Sequence, residues 1–334
     1  MKYVFAGLIC AVLFASCNSN EPSATDLPDH ALYHVPTVQP FTDSILNNPS
    51  EARYYFMRAE ALSNLNEDSM ALIDVRRAAA LDSLNQQYAF TIGYLLLGQN
   101  KATEAIEALN RSEKLSPGNL NTALLLSEAH LTNNDIAAAQ LQLDQILSRH
   151  PGHPAANYWQ AKIKAQQKDL PGAVAILERV VRQHPGHYEA NFQLADWYRD
   201  MGKKEAIDQY RRTYALDTND VAPLYEIGAM YEQQQQWKLA KEAYRYCIEK
   251  DLDYTDAYLR IGTILLHQDS TEKALRQFNI AVATSPASAE AYFNKGRCFE
   301  KLHLADSAIV AYGQALVFDK NMEAARTALQ KLKK

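Results

Sequence analysis

Histidine is the residue type whose spacing in this chain most directly suggests chemistry. The tetrapeptide HPGH occurs twice, and its four imidazoles are candidate metal ligands: His150, His153, His184 and His187. Imidazole is a common ligand for zinc and other transition metals. The competing explanation is structural, because proline and glycine belong in tight turns and the motif itself contains no carboxylate or cysteine to complete a site. We favour the structural explanation and expect neither a metal site nor a cofactor.

Motifs that carry catalysis are missing from the sequence. It contains no glycine-rich phosphate loop, no GxSxG elbow and no HExxH, and only 12 glycines from which to build one. Neighbouring acids such as Asp251 and Asp253 fall between apolar segments, where carboxylates commonly cap helices. We therefore expect a protein without catalytic residues.

The strongest regularity is a repeat of about 34 residues. An alanine recurs at that spacing, with one interval of 33 residues, at Ala71, Ala105, Ala139, Ala173, Ala206, Ala240, Ala274 and Ala308. A small residue precedes each alanine by eleven or twelve positions, at Ala59, Gly93, Ser127, Ala161, Ala195, Gly228, Gly262 and Gly296. Four prolines follow twelve positions after an alanine, at Pro117, Pro151, Pro185 and Pro286. Small residues let two helices cross closely, and proline ends the second helix.

This pattern resembles the tetratricopeptide repeat, a helix-turn-helix unit of 34 residues. The resemblance covers residues 52 to 322 as eight units and implies an all-α fold, a right-handed α-solenoid over residues 51–334. A last amphipathic segment, with Ala325, Leu329 and Leu332 on one face, predicts a C-terminal capping helix. The same fold serves many unrelated binding tasks, so it does not by itself define a function.

The N-terminus predicts export. One basic residue, Lys2, precedes an apolar run that is too short to span a bilayer, and small residues follow it. Residues 1–16 resemble a bacterial lipoprotein signal peptide, which implies that Cys17 is lipidated, although Phe14 stands where that family usually has leucine. The alternative is an ordinary cleaved signal. Residues 17–50 contain several prolines among polar residues, which predicts a flexible tether, with a short helical turn at Phe41 to Asn48.

The lipoprotein resemblance also implies a place in the cell. Asn18 is not the aspartate that retains such proteins at the inner membrane, which favours an outer-membrane lipoprotein facing the periplasm, with exposure at the cell surface as the alternative. The acyl chains that the family carries hold a protein on a membrane stably. We expect the membrane to be a partner through this anchor.

Charge and cysteine content narrow the remaining classes. Without Lys2, 33 basic and 39 acidic side chains leave a net charge of −6, which gives no electrostatic basis for binding nucleic acid. Cys247 and Cys298 lie on the sixth and eighth units with a whole unit between them, too far apart for a disulfide. We expect both to be small core residues.

The fifth position of each first helix faces the concave groove in the resembled family. Apolar or aromatic side chains stand there in every unit: Phe56, Phe90, Leu124, Tyr158, Phe192, Tyr225, Leu259 and Phe293. Tyr94, Lys162, Asp196, Arg199 and Arg297 lie beside that row, and the flanking positions are acidic overall. Aromatic anchors concentrate binding energy in peptide grooves. Part of the row is explained equally well as packing between units.

These features predict a lipid-anchored scaffold that binds protein or peptide partners in its groove. An apolar or basic segment suits an acidic groove with aromatic anchors. Lipoproteins built from such repeats act in outer-membrane assembly, secretion or related envelope machinery, and the resemblance implies a role of that kind. The alternative is a surface lipoprotein that binds glycans, because aromatic rings also stack on sugars.

Overall fold

The computed structural model describes residues 30 to 333. The predicted signal peptide, the predicted lipid site at Cys17 and most of the predicted tether lie outside this range and stay predictions. Within the described range, all regular secondary structure is helical, which confirms the all-α class.

Eighteen α-helices follow a short 3-10 helix at Ala31–His34 in the described part of the chain. The flanking helices are α1 (Gln39–Asn47) and α18 (Glu323–Leu332). The sixteen helices between them follow the order of the eight predicted repeats, two to a repeat: α2 (Ala52–Ser63), α3 (Asp68–Leu81), α4 (Gln86–Gly98), α5 (Ala102–Leu115), α6 (Leu120–Thr132), α7 (Ile136–Arg149), α8 (Pro154–Gln166), α9 (Leu170–Gln183), α10 (Tyr188–Asp200), α11 (Glu205–Leu216), α12 (Ala222–Gln233), α13 (Trp237–Lys250), α14 (Thr255–His267), α15 (Thr271–Thr284), α16 (Ala289–Lys301) and α17 (Ala305–Phe318).

The chain divides into two compact units, with the boundary between Ile146 and Leu147 in α7. The first unit, as far as it is described, holds residues 30–146, and the second holds residues 147–333. In each unit the first helices of consecutive repeats contact one another, as α4 does α6 and α14 does α16. The first helices therefore form a continuous layer within each unit, which we call the first-helix face.

One residue in the left-handed region turns the chain from the first helix of each repeat to the second. These residues have φ between 54° and 66°: Asn66, Asn100, Asn134, Lys168, Gly202, Gln235, Asp269 and His303. Asparagine and glycine tolerate this conformation, whereas most other residues adopt it at a cost. The turn therefore recurs with the same period as the alanines.

The repeated alanines and small residues hold the two helices of each repeat together. All eight alanines are fully buried. A Cβ atom added to Gly296 would lie 2.5 Å from the Tyr312 ring, and one added to Gly262 would lie 2.6 Å from the Phe278 ring. The glycines thus let an aromatic side chain of the second helix lie directly on the backbone of the first.

The segment before the first repeat differs from the predicted tether. Tyr33, Val38 and Ile45 are buried in the core of the first unit, where α1 packs on α2. The flexible tether is therefore wrong for residues 30–40, whereas the helical turn predicted at Phe41 to Asn48 is part of α1. The sequence argument failed before residue 41 because it weighed the prolines and polar residues and not Tyr33 and Val38, which become buried only against a partner helix.

A buried ion pair lies under this N-terminal segment. The Arg58 guanidinium donates two hydrogen bonds to the Asp74 carboxylate, at 2.7 and 2.8 Å, and both side chains are almost fully buried. The Tyr33 ring stacks on the guanidinium, with Arg58 Cζ 4.1 Å from the ring centroid. A bidentate pair of this kind satisfies both charges where water is excluded.

At the other end, α18 packs on the last repeat as predicted. Ala325 is buried, and Leu329 and Leu332 pack against the cluster around Tyr312. The amphipathic helix therefore covers an apolar face that has no following repeat.

The close approach at Gly296 predicts a stability effect. Gly296→Ala is expected to destabilise the second unit by about 1 to 3 kcal/mol, because the new methyl group overlaps the Tyr312 ring. Gly313→Ala is the matched control, since nothing lies within 4 Å of its added Cβ atom in α17; it should stabilise by about 0.5 to 1 kcal/mol. Thermal unfolding followed by circular dichroism measures both, and equal effects of the two variants would contradict the packing argument.

Candidate functional site

The histidines of the two HPGH motifs serve the turns between repeats. Nδ1 of His153 accepts a hydrogen bond from the Ala156 amide at 3.3 Å, and Nδ1 of His187 accepts one from the Ala190 amide at 3.3 Å. Each ring therefore caps the N-terminus of a helix, α8 or α10. Asn119 caps α6 from the same position of its repeat. Histidine is an unusual N-cap residue, and sequence reasoning did not identify this role.

A metal site receives no support from this arrangement. Nδ1 of both His153 and His187 is occupied by capping, and the Nε2 atom of His184 lies 3.3 Å from the Gly152 carbonyl oxygen. No group of three or more histidine, cysteine or carboxylate side chains between residues 30 and 333 is arranged to hold a metal ion.

The two core cysteines offer no nucleophile. Cys247 and Cys298 are free and fully buried, as expected for core residues. Burial raises the pKa of the Cys247 thiol to about 12 and that of the Cys298 thiol to about 11. Both thiols are therefore protonated at neutral pH and unreactive.

The predicted groove residues differ in how deeply they are buried. Phe56 and Leu259 are core residues, 9% and 5% exposed. The other predicted members of the row are partly buried: Phe90, Leu124, Tyr158, Phe192, Tyr225 and Phe293. Most of the row contributes to packing as well as to the first-helix face.

In the second unit, the aromatic members of the row pack on other rings of the same chain. The Tyr158 ring stacks on His187 at 5.8 Å, and the Phe192 ring meets Tyr210 edge-on at 5.8 Å. Tyr225 lies between Tyr244 and Tyr254, with ring centroids 5.4 and 5.8 Å away, and Phe293 lies 5.6 Å from Tyr312. These rings have partners on neighbouring helices before any ligand arrives.

The predicted charged groove residues also have partners within the second unit. Arg199 Nη1 donates to Glu226 at 2.5 Å and to the Tyr210 hydroxyl at 3.0 Å, and it lies 3.3 Å from the Asp196 carboxylate. The Tyr210 hydroxyl in turn donates to Asp196 at 2.5 Å. Burial, together with the neighbouring carboxylates, raises the pKa of Tyr210. These four side chains form a network between α10, α11 and α12.

Lys162 and Arg297 make weaker contacts of the same kind. Lys162 Nζ donates to the Gln193 side chain at 3.2 Å, and Arg297 Nη1 donates to Asn294 at 3.0 Å. The Arg297 guanidinium also lies 6.0 Å from the Phe293 ring centroid. Arg297 is nevertheless largely exposed.

Two further tyrosine–carboxylate pairs repeat the pattern of the Arg199 network. The Tyr244 hydroxyl donates to Glu232 at 2.8 Å, and the Tyr312 hydroxyl donates to Glu300 at 2.9 Å. Arg260 lies 3.1 Å from Glu232 and neutralises it. The sequence contains a signal for these pairs, since each tyrosine follows its glutamate by twelve residues. The spacing predicts a hydrogen bond only once the two helices are known to cross at that point.

The first unit has an open pocket on its first-helix face. It lies between α2 and α4, has a volume of about 410 Å³, and we call it the α2–α4 pocket; its walls include Phe56, Glu60, Ser63, Gln87, Phe90 and Tyr94. Three of these are predicted groove residues, which the structure brings together. Tyr94 is 58% exposed, and Glu60, also exposed, is the one charged side chain among the lining residues. The pocket thus offers aromatic surface beside a negative charge.

Within residues 30–333, no helix has both the length and the apolar content needed to cross a bilayer.

The fold and the pairing of its helices define a helical-repeat protein. Comparison with known families makes this specific: the family model of the tetratricopeptide repeat matches residues 124–188, 225–286 and 270–328, together half of the chain. The chain belongs to the tetratricopeptide repeat family.

Individual relatives agree with this assignment. The chain is similar to the tetratricopeptide repeat domain-containing protein PYG7 of Arabidopsis thaliana chloroplasts, with 29% identity over 138 residues. That match covers 40% of this chain and 44% of the relative, so this chain spans less than half of the plant protein.

Solved structures show the same fold at low sequence identity. One chain of the crystal structure of the APC/C hetero-tetramer Cut9–Hcn1 is similar to this protein. The alignment covers 89% of this chain and 59% of that chain, with a TM-score of 0.52 and 15% identity. A tetratricopeptide repeat protein from Parabacteroides merdae aligns over 75% of this chain and 99% of its own, with a TM-score of 0.50 and 13% identity.

The histidine cap predicts a pH effect on stability. Burial and the charges of the other three imidazoles lower the pKa of His153, so the folded protein favours the neutral ring. The neutral His153 ring therefore contributes to stability above the unfolded pKa of about 6.5, and this contribution is lost as the pH falls below that value. His153→Asn keeps a capping acceptor but removes the imidazole. Between pH 7 and pH 5, the free energy of unfolding of this variant should therefore fall by up to about 1 kcal/mol less than that of the wild type.

Urea unfolding of the full chain at several pH values measures this difference. His303→Asn is the control, because it removes a histidine that caps no helix; it should not reproduce the effect of His153→Asn. An identical pH dependence for wild type and His153→Asn would contradict the capping role.

Proposed function

We propose that this protein is a scaffold that binds segments of other proteins, and that the α2–α4 pocket is its main contact site. The supporting observation is the exposure of Tyr94 beside Phe90 in an open pocket of about 410 Å³. Pockets of this size accept a large side chain, and exposed aromatic rings commonly provide the anchors of protein interfaces.

The chemistry of the pocket favours an apolar or aromatic residue next to a basic one. Phe90 and Tyr94 offer apolar contact, and Glu60 offers a negative charge that no basic side chain of the pocket neutralises. Amides from Asn64 and Gln87 provide hydrogen bonds to a peptide backbone. A cation held near Tyr94 and Glu60 gains from both the ring and the carboxylate.

The groove residues of the second unit are less suited to binding than those of the α2–α4 pocket. Its predicted anchors Tyr158, Phe192, Tyr225 and Phe293 each pack on another ring of the same chain. Asp196 and Arg199 neutralise one another in a network with Glu226. A ligand there would have to displace contacts that already exist, so we assign these residues mainly to stability.

We further propose that the scaffold is a lipid-anchored protein of the outer membrane that faces the periplasm and serves envelope assembly or secretion. This part of the proposal rests on the sequence alone: the apolar run after Lys2, the small residues before Cys17, and Asn18 after it. Two or more acyl chains on Cys17 would anchor the chain stably.

A peptide selection tests the binding site. Random peptides displayed on phage should be enriched by the wild-type protein for an aromatic or large aliphatic residue next to lysine or arginine. Tyr94→Ala should reduce the affinity of the selected peptides roughly 10- to 100-fold, as loss of an aromatic anchor does. Glu60→Lys should select against basic peptides because it reverses the charge of the pocket.

Tyr246→Ala is the matched control, because Tyr246 is also 58% exposed but lies on α13, a second helix. It should leave peptide affinity unchanged. Equal losses for Tyr94→Ala and Tyr246→Ala, or no enrichment of peptides at all, would reject the site. If a glycan array bound instead, with the same dependence on Tyr94, the glycan alternative would replace the peptide proposal.

Labelling of cells tests the anchor separately. Cells that express the full chain and are fed an alkyne-tagged fatty acid should incorporate the tag into the wild-type protein and not into Cys17→Ser. Cys298→Ser is the control, since that thiol is buried, and should keep the label. Incorporation into Cys17→Ser, or none into the wild type, would refute lipidation at Cys17.

A further inference from the structure

The last repeat has a charged residue at a position where most other repeats have an aliphatic one. The seventh residue of the first helix is aliphatic in five repeats and glutamine in one; the two exceptions are cations, Arg58 in the first repeat and Lys295 in the eighth. Arg58 has a counter-ion in Asp74, sixteen residues later. The corresponding residue opposite Lys295 is Ala311, which carries no charge.

Lys295 therefore lacks the ion pair that makes Arg58 acceptable in the interior. Within the described residues, its ammonium group lies over the Tyr292 ring, 5.6 Å from the ring centroid. The side chain is partly buried, and burial lowers its pKa. A cation held in apolar surroundings without a carboxylate favours binding of an anion.

A pocket adjoins this lysine. It has a volume of about 360 Å³, lies between α16 and α17, and is lined mainly by apolar groups, among them Tyr292, Phe299, Val310 and Ala311. The Tyr292 ring stacks on Phe318 at 5.6 Å, which stiffens one wall. Asp306 lines the same pocket without forming an ion pair with Lys295.

The mouth of the pocket continues as apolar surface. Val310 and Val317 are separated by two turns on one face of α17 and are 64% and 62% exposed. At the equivalent position to Val310, the sixth repeat has Glu242 and the seventh has Arg276. The apolar stripe is thus absent from the two preceding repeats, and it extends the pocket beyond Lys295.

We propose that the pocket between α16 and α17 binds a carboxylate that carries an apolar tail, with Lys295 as its counter-ion. The ligand carboxylate takes the place that the Asp74 carboxylate occupies in the first repeat, and the tail lies against Tyr292, Phe299 and Val310. Two sources share this chemistry: a free fatty acid, and the C-terminus of a peptide that ends in an apolar residue. The site is separate from the α2–α4 pocket and does not depend on it.

Ligand-observed NMR with the full chain tests the proposal. Octanoate should bind at least roughly tenfold more tightly than 1-octanol, because a charge-assisted contact is lost with the neutral ligand. Lys295→Met preserves the volume of the side chain and should remove that preference. Ala311→Asp should also abolish octanoate binding, because it supplies an internal counter-ion as Asp74 does.

Lys273→Met, which changes an exposed lysine of α15, is the control and should leave octanoate binding intact. Circular dichroism confirms that each variant is folded, and Lys295→Met alone decides the question if Ala311→Asp does not fold. Equal binding of octanoate and 1-octanol to the wild type, or an unchanged preference in Lys295→Met, would overturn the proposal.

N-acetylated tripeptides ending in leucine or phenylalanine distinguish the two sources. Tighter binding of the free-acid peptide than of octanoate, lost on C-terminal amidation and in Lys295→Met, identifies a peptide C-terminus. Tighter binding of octanoate identifies a free fatty acid. Either result supports the site, whereas binding of the acid and amide peptides with equal affinity contradicts a peptide terminus as its ligand.

Discussion

The contact between a small residue of the first helix and a large side chain of the second determines how closely the two helices of a repeat approach. At Gly228, Gly262 and Gly296 the large side chain is an aromatic ring, of Tyr244, Phe278 or Tyr312, and no Cβ atom fits between the ring and the backbone. The repeats of the first unit use smaller partners, as Gly93 does with Leu109. Repetition of this single contact, rather than one large central core, stabilises each unit.

This contact also organises polar groups of the second unit. A tyrosine that lies flat on the first helix points its hydroxyl beyond it, where it donates to a carboxylate of that helix, as Tyr244 does to Glu232 and Tyr312 to Glu300. Arg199 and Arg260 then neutralise carboxylates from neighbouring helices. Much of the charge of this face therefore holds the repeats together. In the first repeat, Val75 stands in place of the tyrosine and Ser63 in place of its carboxylate partner, and Glu60 lines the same pocket as the exposed Tyr94.

The sequence predicted the fold well, because the repeat is encoded in residues that are near one another along the chain. Ala71 and its equivalents, the small residues and the prolines defined the number of repeats, and the apolar face of α18 defined the cap. It failed for residues 30–40, where Tyr33 and Val38 are buried only because α2 is present. Local composition carries no information about such a partner.

The candidate site was predictable only in part, for a similar reason. The pattern identified Phe56, Phe90 and Tyr94 as members of one face, and the structure places them in one pocket. The pattern did not indicate which rings Tyr158 and Phe192 pack on, or that Arg199 pairs with Glu226, because these contacts join residues far apart in the sequence. The histidine caps were missed because the structural explanation of the motif rested on its proline and glycine, and histidine is an unusual N-cap residue.

The central claim is that the first-helix face of the first unit meets a partner protein, and photo-crosslinking from defined positions measures it most directly. A photoreactive amino acid replaces Tyr94 in one variant and the equally exposed Tyr246 in another, in cells that produce the full chain. The account predicts one discrete crosslinked protein from position 94 and none from position 246. Crosslinks from position 246 alone, or the same products from both positions, would contradict it.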